Sequence, residues 1–298
     1  MTEPKVFMFV GKGGVGKTTC AAATALHYAS AVGQTIVIST DPTPSLCHIF
    51  EADCDQKPTR ILDGLYLDEI GVDKVKQMWD GKFGREVYEV FSSFVDIEYK
   101  EFVDFVSSVL PGMRDEFMVD YIREMAASNT YQKLVWDTAP LGQTLGLLKT
   151  PAMLSKHLKM APRVYSKLKT AKDSRRPVMD VIKGWEALSA KDMDFLRNDV
   201  GFVIVTIAEA LAIEQLDGIF AEFDKHGLKI ARLVINNVIT DTSSEFLVTR
   251  ASQQKGYIDI LHKKYPNIEM VEIPMFPHEI KGIDRLREIQ IRLFKQAG

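Results

Sequence analysis

Cysteine, charge of one sign and long apolar runs are all scarce in this chain of 298 residues. Its three cysteines, Cys20, Cys47 and Cys54, are too few and odd in number for a disulfide framework, and none belongs to a C-x-x-C pair. A reducing compartment is therefore expected, and a cysteine zinc site within one chain is not. Cys20 stands among alanines and reads as a small buried thiol. Lys and Arg total 37 against 40 Asp and Glu, a net charge of −3. That balance is too small and too mixed for bulk attraction to nucleic acid, so no nucleic-acid partner is expected. No stretch approaches the roughly 18 apolar residues of a membrane span. The apolar start Val6 to Val10 runs into glycines rather than into a signal-peptide core. Cytoplasmic localisation is the expectation. With 46% hydrophobic and 26% charged residues, disordered and collagen-like classes are excluded.

What is present is an alternation. Lys5 to Val10 is β-branched and aromatic, meets a glycine run, and is followed by the helix-forming Thr18 to Ala31. Further buried-type strands are expected at Gln34 to Ser39, Lys133 to Trp136, Gly201 to Ile207, Lys229 to Ile235 and Ile268 to Ile273. Amphipathic segments such as Ile213 to His226 and Glu279 to Lys295 lie between or after them. Strands alternating with helices imply an α/β fold with a mostly parallel sheet flanked by helices. Two regions, about 72–130 and 151–198, carry only helical spacing and read as a helical insertion subdomain on a single domain spanning 1–298.

The strongest motif is Gly11-Lys12-Gly13-Gly14-Val15-Gly16-Lys17-Thr18-Thr19. It satisfies G-x-x-x-x-G-K-[ST] between a strand and a helix, which makes it the phosphate-binding loop of a P-loop NTPase. Its glycines let consecutive N–H groups face phosphate, and the helix beginning near Thr18 adds the positive end of its dipole. Lys17 then neutralises the β and γ phosphates of ATP, and the Thr18 hydroxyl ligates Mg²⁺. Asp41, in Ser39-Thr40-Asp41-Pro42, follows the second strand at the sheet edge where such folds bind ligands. It is placed either to activate water for γ-phosphate hydrolysis or to cap a turn. Asp137 closes the strand Lys133 to Trp136 like a Walker B carboxylate, holding Mg²⁺ directly or through water. Thr138, Ala139, Pro140 and Gly142 follow it in a segment that resembles a γ-phosphate-sensing switch loop.

With these motifs the sequence resembles the family of arsenical pump-driving and tail-anchored-protein targeting ATPases. The likeness spans nearly the whole chain. It adds Leu110-Pro111-Gly112-Met113, Thr206 through Ile213, Val234-Ile235-Asn236-Asn237, and Ile273-Pro274 through Gly282. The resemblance implies a homodimer closed by paired nucleotides. In it Lys12 reaches the partner's nucleotide, Asp41 activates water, Asn236 contacts adenine, and Pro274 to Phe276 flank the base. Asn236 also suits a simple strand-end turn. Leu141 and Gln143 replace the family's usual threonine and histidine in the switch loop, which puts coupling and rate in question. The positions of the zinc-binding C-x-x-C of targeting members are here approximately Ser244 and Leu247, so zinc is not expected and nucleotide and apolar packing must hold the dimer. The pump members' tandem duplication and cysteine trio are not matched either.

The insertions add two patterns. Residues 86–128 hold ten acidic side chains against three basic, and residues 155–176 hold eight basic against Asp173. These are either complementary helix faces or a docking surface for a charged partner. Eight of the twelve methionines fall between Met78 and Met193, suited to a groove for varied apolar partners or to ordinary helix packing. By resemblance, the expected function is an ATP-hydrolysing switch. It binds a transmembrane-helix client and delivers it to a membrane receptor, with only transient membrane association. The alternatives are an ATPase that energises an arsenite or anion pump, and a nucleotide-gated chaperone for other clients.

Overall fold

The structure, a computed structural model, describes residues 3–41, 43, 45–54, 58–92, 96–109, 111–138 and 178–294. Eight strands form one sheet: β1 (Val6–Gly11), β2 (Thr35–Ser39), β3 (Thr59–Leu62), β4 (Leu65–Glu69), β5 (Lys133–Asp137), β6 (Val200–Ile207), β7 (Ile230–Val238) and β8 (Met270–Pro274). Their order is β3-β4-β2-β5-β1-β6-β7-β8, and every pairing is parallel except the β3–β4 hairpin at one edge. The six strands expected from the apolar runs are all present. β3 and β4 were not among them: Thr59–Leu62 is half-exposed and lacks the buried-strand signature, while Leu65–Glu69 buries Leu65 and Leu67 in a run too short and too polar to stand out. β1 sits at the centre with all six residues buried, as a strand covered on both faces must.

Helix α1 (Lys17–Ala31) crosses back from β1 to β2. Its run of alanines is almost wholly buried, and such small side chains let the helix axis approach the sheet closely. Next come α2 (Leu46–Phe50), α3 (Val72–Trp79), a π-helical turn (Asp80–Gly84), α4 (Arg85–Ser92), α5 (Tyr99–Val109), α6 (Pro111–Ala127) and α7 (Val178–Asn198). The last three are α8 (Ala210–His226), α9 (Glu245–Lys264) and α10 (Gly282–Phe294). α10 packs Leu286, Ile289 and Leu293 into the same core as α1. Phe294 stacks on His27 with ring centroids 3.7 Å apart.

The chain divides into two compact units, Met1–Ile70 with Ser128–Thr144 and Arg197–Gly298, and Gly71–Ala127 with Leu145–Leu196. The second is helical. Its interior includes Met118 and Met193, both buried, so these two methionines are core rather than an open groove. Met78 and Met125 are half-buried. The side chains of Met113, Met153, Met160 and Met179, and the basic stretch 155–176, lie outside the described residues. Part of the acidic charge is answered inside the unit. Asp120 and Asp192 are fully buried. Arg123 bonds Asp192 through Nε at 2.6 Å and pairs with Asp120 through Nη2, while Lys82 on the π-helical turn pairs with Asp120 and Glu124.

The expectation of unpaired cysteines is corrected. Cys47 and Cys54 are joined as a disulfide, their Cα atoms 6.0 Å apart. Short helix α2 ends on Glu51 in the left-handed conformation, which folds the chain back and brings the two within bonding range. Two cysteines seven residues apart carry no sequence signal for such a turn. Cys20 is free and buried.

The Arg123 network yields the first prediction. Arg123→Ala leaves the buried Asp192 without its cation and Asp120 with Lys82 alone, and a loss of about 3–5 kcal/mol in chemical denaturation is expected. Arg123→Lys recovers only part of it, because one ammonium cannot hold both carboxylates in the guanidinium's geometry. An Arg123→Ala variant as stable as the parent chain contradicts a structural role for the network.

Candidate nucleotide site

β1 delivers the loop Gly11–Gly16 to the C-terminal edge of the sheet, and α1 begins at Lys17 with no side chain capping its N-terminus. The first N–H groups of an uncapped helix are unsatisfied donors at the positive end of the dipole. Two glycines are required by space and conformation. A Cβ at Gly11 would collide with the Val205 carbonyl of β6. Gly16, the N-cap, has φ 96° and would drive a Cβ into the Asn236 amide. Lys12, Gly13 and Gly14 are exposed, Val15 is buried, and Gly16, Thr18 and Thr19 are half-buried.

Lys17 is 7% exposed, its ammonium donating to the Lys12 carbonyl at 3.1 Å. Burial pushes its pKa down, and the negative charges of Asp137 and Asp41 push it back up. Those three residues and Thr18 thus converge, drawn from β5, the end of β2 and the start of α1. Asp137, 1% exposed, is the most perturbed of them. Desolvation raises its pKa to about 7, with Asp41 adding to the rise, while the Thr18 and Ser39 hydroxyls and the Lys17 charge oppose it. Its Oδ2 receives the Ser39 hydroxyl at 3.4 Å. Its Oδ1 is buried with no hydrogen-bond partner among the described residues. An orphaned carboxylate oxygen beside a threonine hydroxyl fits a Mg²⁺ ion that takes one or two protein ligands and completes its shell with water and phosphate.

Asp41 is half-buried. Its Oδ1 accepts the backbone N–H and the hydroxyl of Thr43, both at 2.9 Å, so it organises its own turn as well as facing Lys17. Two contacts that the sequence did not single out brace this edge. The Trp136 indole donates to the Thr40 hydroxyl at 3.0 Å, and the Thr40 N–H donates to the Asp137 carbonyl at 3.1 Å. Both residues flank motif positions, but nothing in their spacing announces the pairing. Thr138 is buried and its hydroxyl donates to the Phe9 carbonyl at 2.6 Å. Ala139, Pro140 and Gly142, with Leu141 and Gln143, lie outside the described residues.

Asn236 sits at the end of β7, and its amide donates to the Val15 carbonyl at 2.9 Å. Pro274 pairs beside it, opposite Val238, and Phe276 is half-buried against the core around α1 and α10. Ser244, at one of the positions where the resemblance places a metal-binding cysteine, caps α9 by accepting the Leu247 N–H at 3.2 Å.

The buried Asp137 carboxylate sets a pH dependence. Its folded pKa lies above the unfolded value of about 3.9, so its ionisation opposes folding, and this contribution worsens as pH rises from about 4 to 7. Without Mg²⁺ and nucleotide, Asp137→Asn is expected to gain stability over the parent chain progressively across that window, by up to about 4 kcal/mol. Urea unfolding of both proteins at pH 5 and pH 8 measures it. A difference independent of pH rejects the assignment.

Comparison with known proteins agrees with this geometry. Residues 4–295 match the anion-transporting ATPase family. The chain is 27% identical to the putative arsenical pump-driving ATPase 2 of Aquifex aeolicus, over 95% of this chain and 97% of that protein. It is 28% identical to ATPase GET3A of Arabidopsis thaliana, over 96% and 82% respectively. With ATPase ASNA1 homolog 1 of Paramecium tetraurelia the figures are 27% identity, 97% and 92%. A phosphate loop opening an uncapped helix, a buried carboxylate at the neighbouring strand end and a family match across the chain lead to one conclusion: this protein belongs to the anion-transporting ATPase family and is an ATP-hydrolysing enzyme.

Proposed function

We propose that this ATPase works as a homodimeric switch, sheltering the transmembrane helix of a client and delivering it to a membrane receptor. The observation that carries the switch is the convergence of Lys17, Asp41 and Asp137 at the start of α1. Lys17 and the loop N–H groups bind the β and γ phosphates. Thr18 and the orphaned Oδ1 of Asp137 hold Mg²⁺, which supplies charge neutralisation on the transferring phosphoryl group. Asp41 orients the attacking water. Lys12, exposed while its carbonyl receives Lys17, is free to reach toward a nucleotide held by a second copy. Bonds from Thr43 to Asp41 give that loop an arrangement that phosphate contacts can bias, so dimer closure follows as a population shift.

The motifs' resemblance to tail-anchored-protein targeting ATPases supports the client reading, and ATPase GET3A and the ASNA1 homologue are among the similar proteins. The cysteines support it too. Cys20 is buried with its thiol pKa pushed up to about 12, and Cys47 and Cys54 are bonded to each other, so the chain offers no exposed trio of thiols for arsenite. The pump-energising alternative is favoured by the name of the Aquifex protein, whose length this chain matches almost fully. Its test is stimulation of ATP hydrolysis by arsenite or antimonite.

The deciding experiment is co-expression with a protein bearing a C-terminal transmembrane helix, followed by size-exclusion of the soluble fraction. A complex that requires the client helix and persists in Asp41→Asn, whose steady-state hydrolysis falls at least about 100-fold, is expected. A nucleotide-closed dimer without client, together with arsenite-stimulated turnover, transfers the function to the pump reading. Unchanged hydrolysis in Asp41→Asn removes that residue from the mechanism.

A further inference from the structure

β7 does not end as a regular strand. Its pairing with β8 runs through Leu233–Met270, Val234–Val271 and Ile235–Glu272, then resumes at Val238–Pro274. Asn236 and Asn237 therefore lie opposite Ile273 alone, which is a β-bulge, and Asn237 takes the left-handed conformation at φ 57°. A bulge leaves backbone groups off the ladder and re-aims the side chains beside it. Here a side chain from another element answers those groups. Gln254 of α9, only 6% exposed, accepts the Ile239 N–H through Oε1 at 2.7 Å and donates Nε2 to the Asn237 carbonyl at 3.1 Å. One donor and one acceptor in a planar amide replace a missing peptide of the ladder. Glutamate, leucine and methionine cannot supply both.

The bulge so held carries Asn236, whose amide nitrogen donates to the Val15 carbonyl in the phosphate loop. A carbonyl only accepts, so this bond fixes which way the Asn236 amide is turned and leaves its Oδ1, an acceptor, for the base. An acceptor pairs with the 6-amino group of adenine and opposes the 6-oxo group of guanine. We propose that Gln254 is a positioning residue for base selection: by clamping the β7 bulge it holds Asn236 in the orientation that favours ATP over GTP and ties the base contact to the phosphate loop. The proposal rests on the reading of Asn236 as the adenine contact. Gln254 itself touches no nucleotide.

The test measures affinity and KM for ATP and GTP, with Mg²⁺, in the full chain. The variants are Asn236→Ala, Gln254→Met and the double variant, with Gln254→Glu as a second substitution should the methionine variant fail to fold. Asn236→Ala is expected to lower the ATP-to-GTP preference by about tenfold or more, the value of one discriminating hydrogen bond. Gln254→Met lowers it in the same direction by about fivefold, raises KM for ATP and leaves kcat within about twofold. The double variant falls no further than Asn236→Ala alone, since Gln254 acts through Asn236. A residue that only supports the fold weakens both nucleotides equally. If Asn236→Ala loses the preference while the folded Gln254 variant keeps it, the positioning role is overturned and the base reading stands. If Asn236→Ala itself keeps the preference, the base reading fails and this inference with it.

Discussion

Burying the Asp137 carboxylate at the end of β5, beside the uncapped start of α1, creates a site that the described protein groups do not satisfy. Desolvation opposes its charge, Lys17 and two hydroxyls favour it, and one oxygen still has no partner among the described residues. On the other side of the same small volume, the N–H groups that open α1 have no side-chain acceptor. A divalent cation bound to a polyphosphate answers both deficits at once, with positive charge for the carboxylate and oxygens for the N–H groups. Elements that touch the site can therefore take two arrangements, with and without bound nucleotide. Asp41, whose turn is built from bonds to Thr43, is the element nearest to hand.

The parallel sheet is what makes this placement possible. β1, β5 and β2 are adjacent and point the same way, so Gly11, Asp137 and Ser39 emerge at one edge although they are far apart in sequence. That consequence was legible beforehand because buried parallel strands read as continuous apolar runs and the phosphate loop has a strict spacing. The edge strand β3 was not legible, since an exposed edge strand needs no apolar pattern. Neither was the Trp136–Thr40 bond that braces the two carboxylate-bearing strand ends. It depends on the register between β2 and β5, where Ile38 lies opposite Trp136, and register is a property of the assembled sheet.

The cysteines show the opposite failure. Counting three thiols argued against a disulfide framework, and one short-range pair formed nevertheless. Counting weighs global frameworks, whereas a bond across seven residues depends on local backbone geometry, here the left-handed turn at Glu51. The methionines divide in the same way. Their concentration in the helical segments was plain, but whether a methionine faces a partner or its own core is decided by packing, and Met118 and Met193 face the core. The subdomain's buried ion network had a compositional trace in the acidic excess. Its partners, Lys82 and Arg123, became identifiable only once the π-helical turn and α6 brought them to Asp120.

α9 gathers the remaining argument. Ser244 begins it as an N-cap, and nearly three turns further on Gln254 reaches back to the end of β7. The helix is thus anchored at its start by its own capping bond and in its middle by the bulge that carries Asn236. Rigidity at this edge then comes from polar satisfaction of buried groups, whose loss costs more than their formation contributes. That asymmetry makes the β7 end a fixed reference against which the phosphate loop, held by the Asn236–Val15 bond, is aligned before any nucleotide arrives.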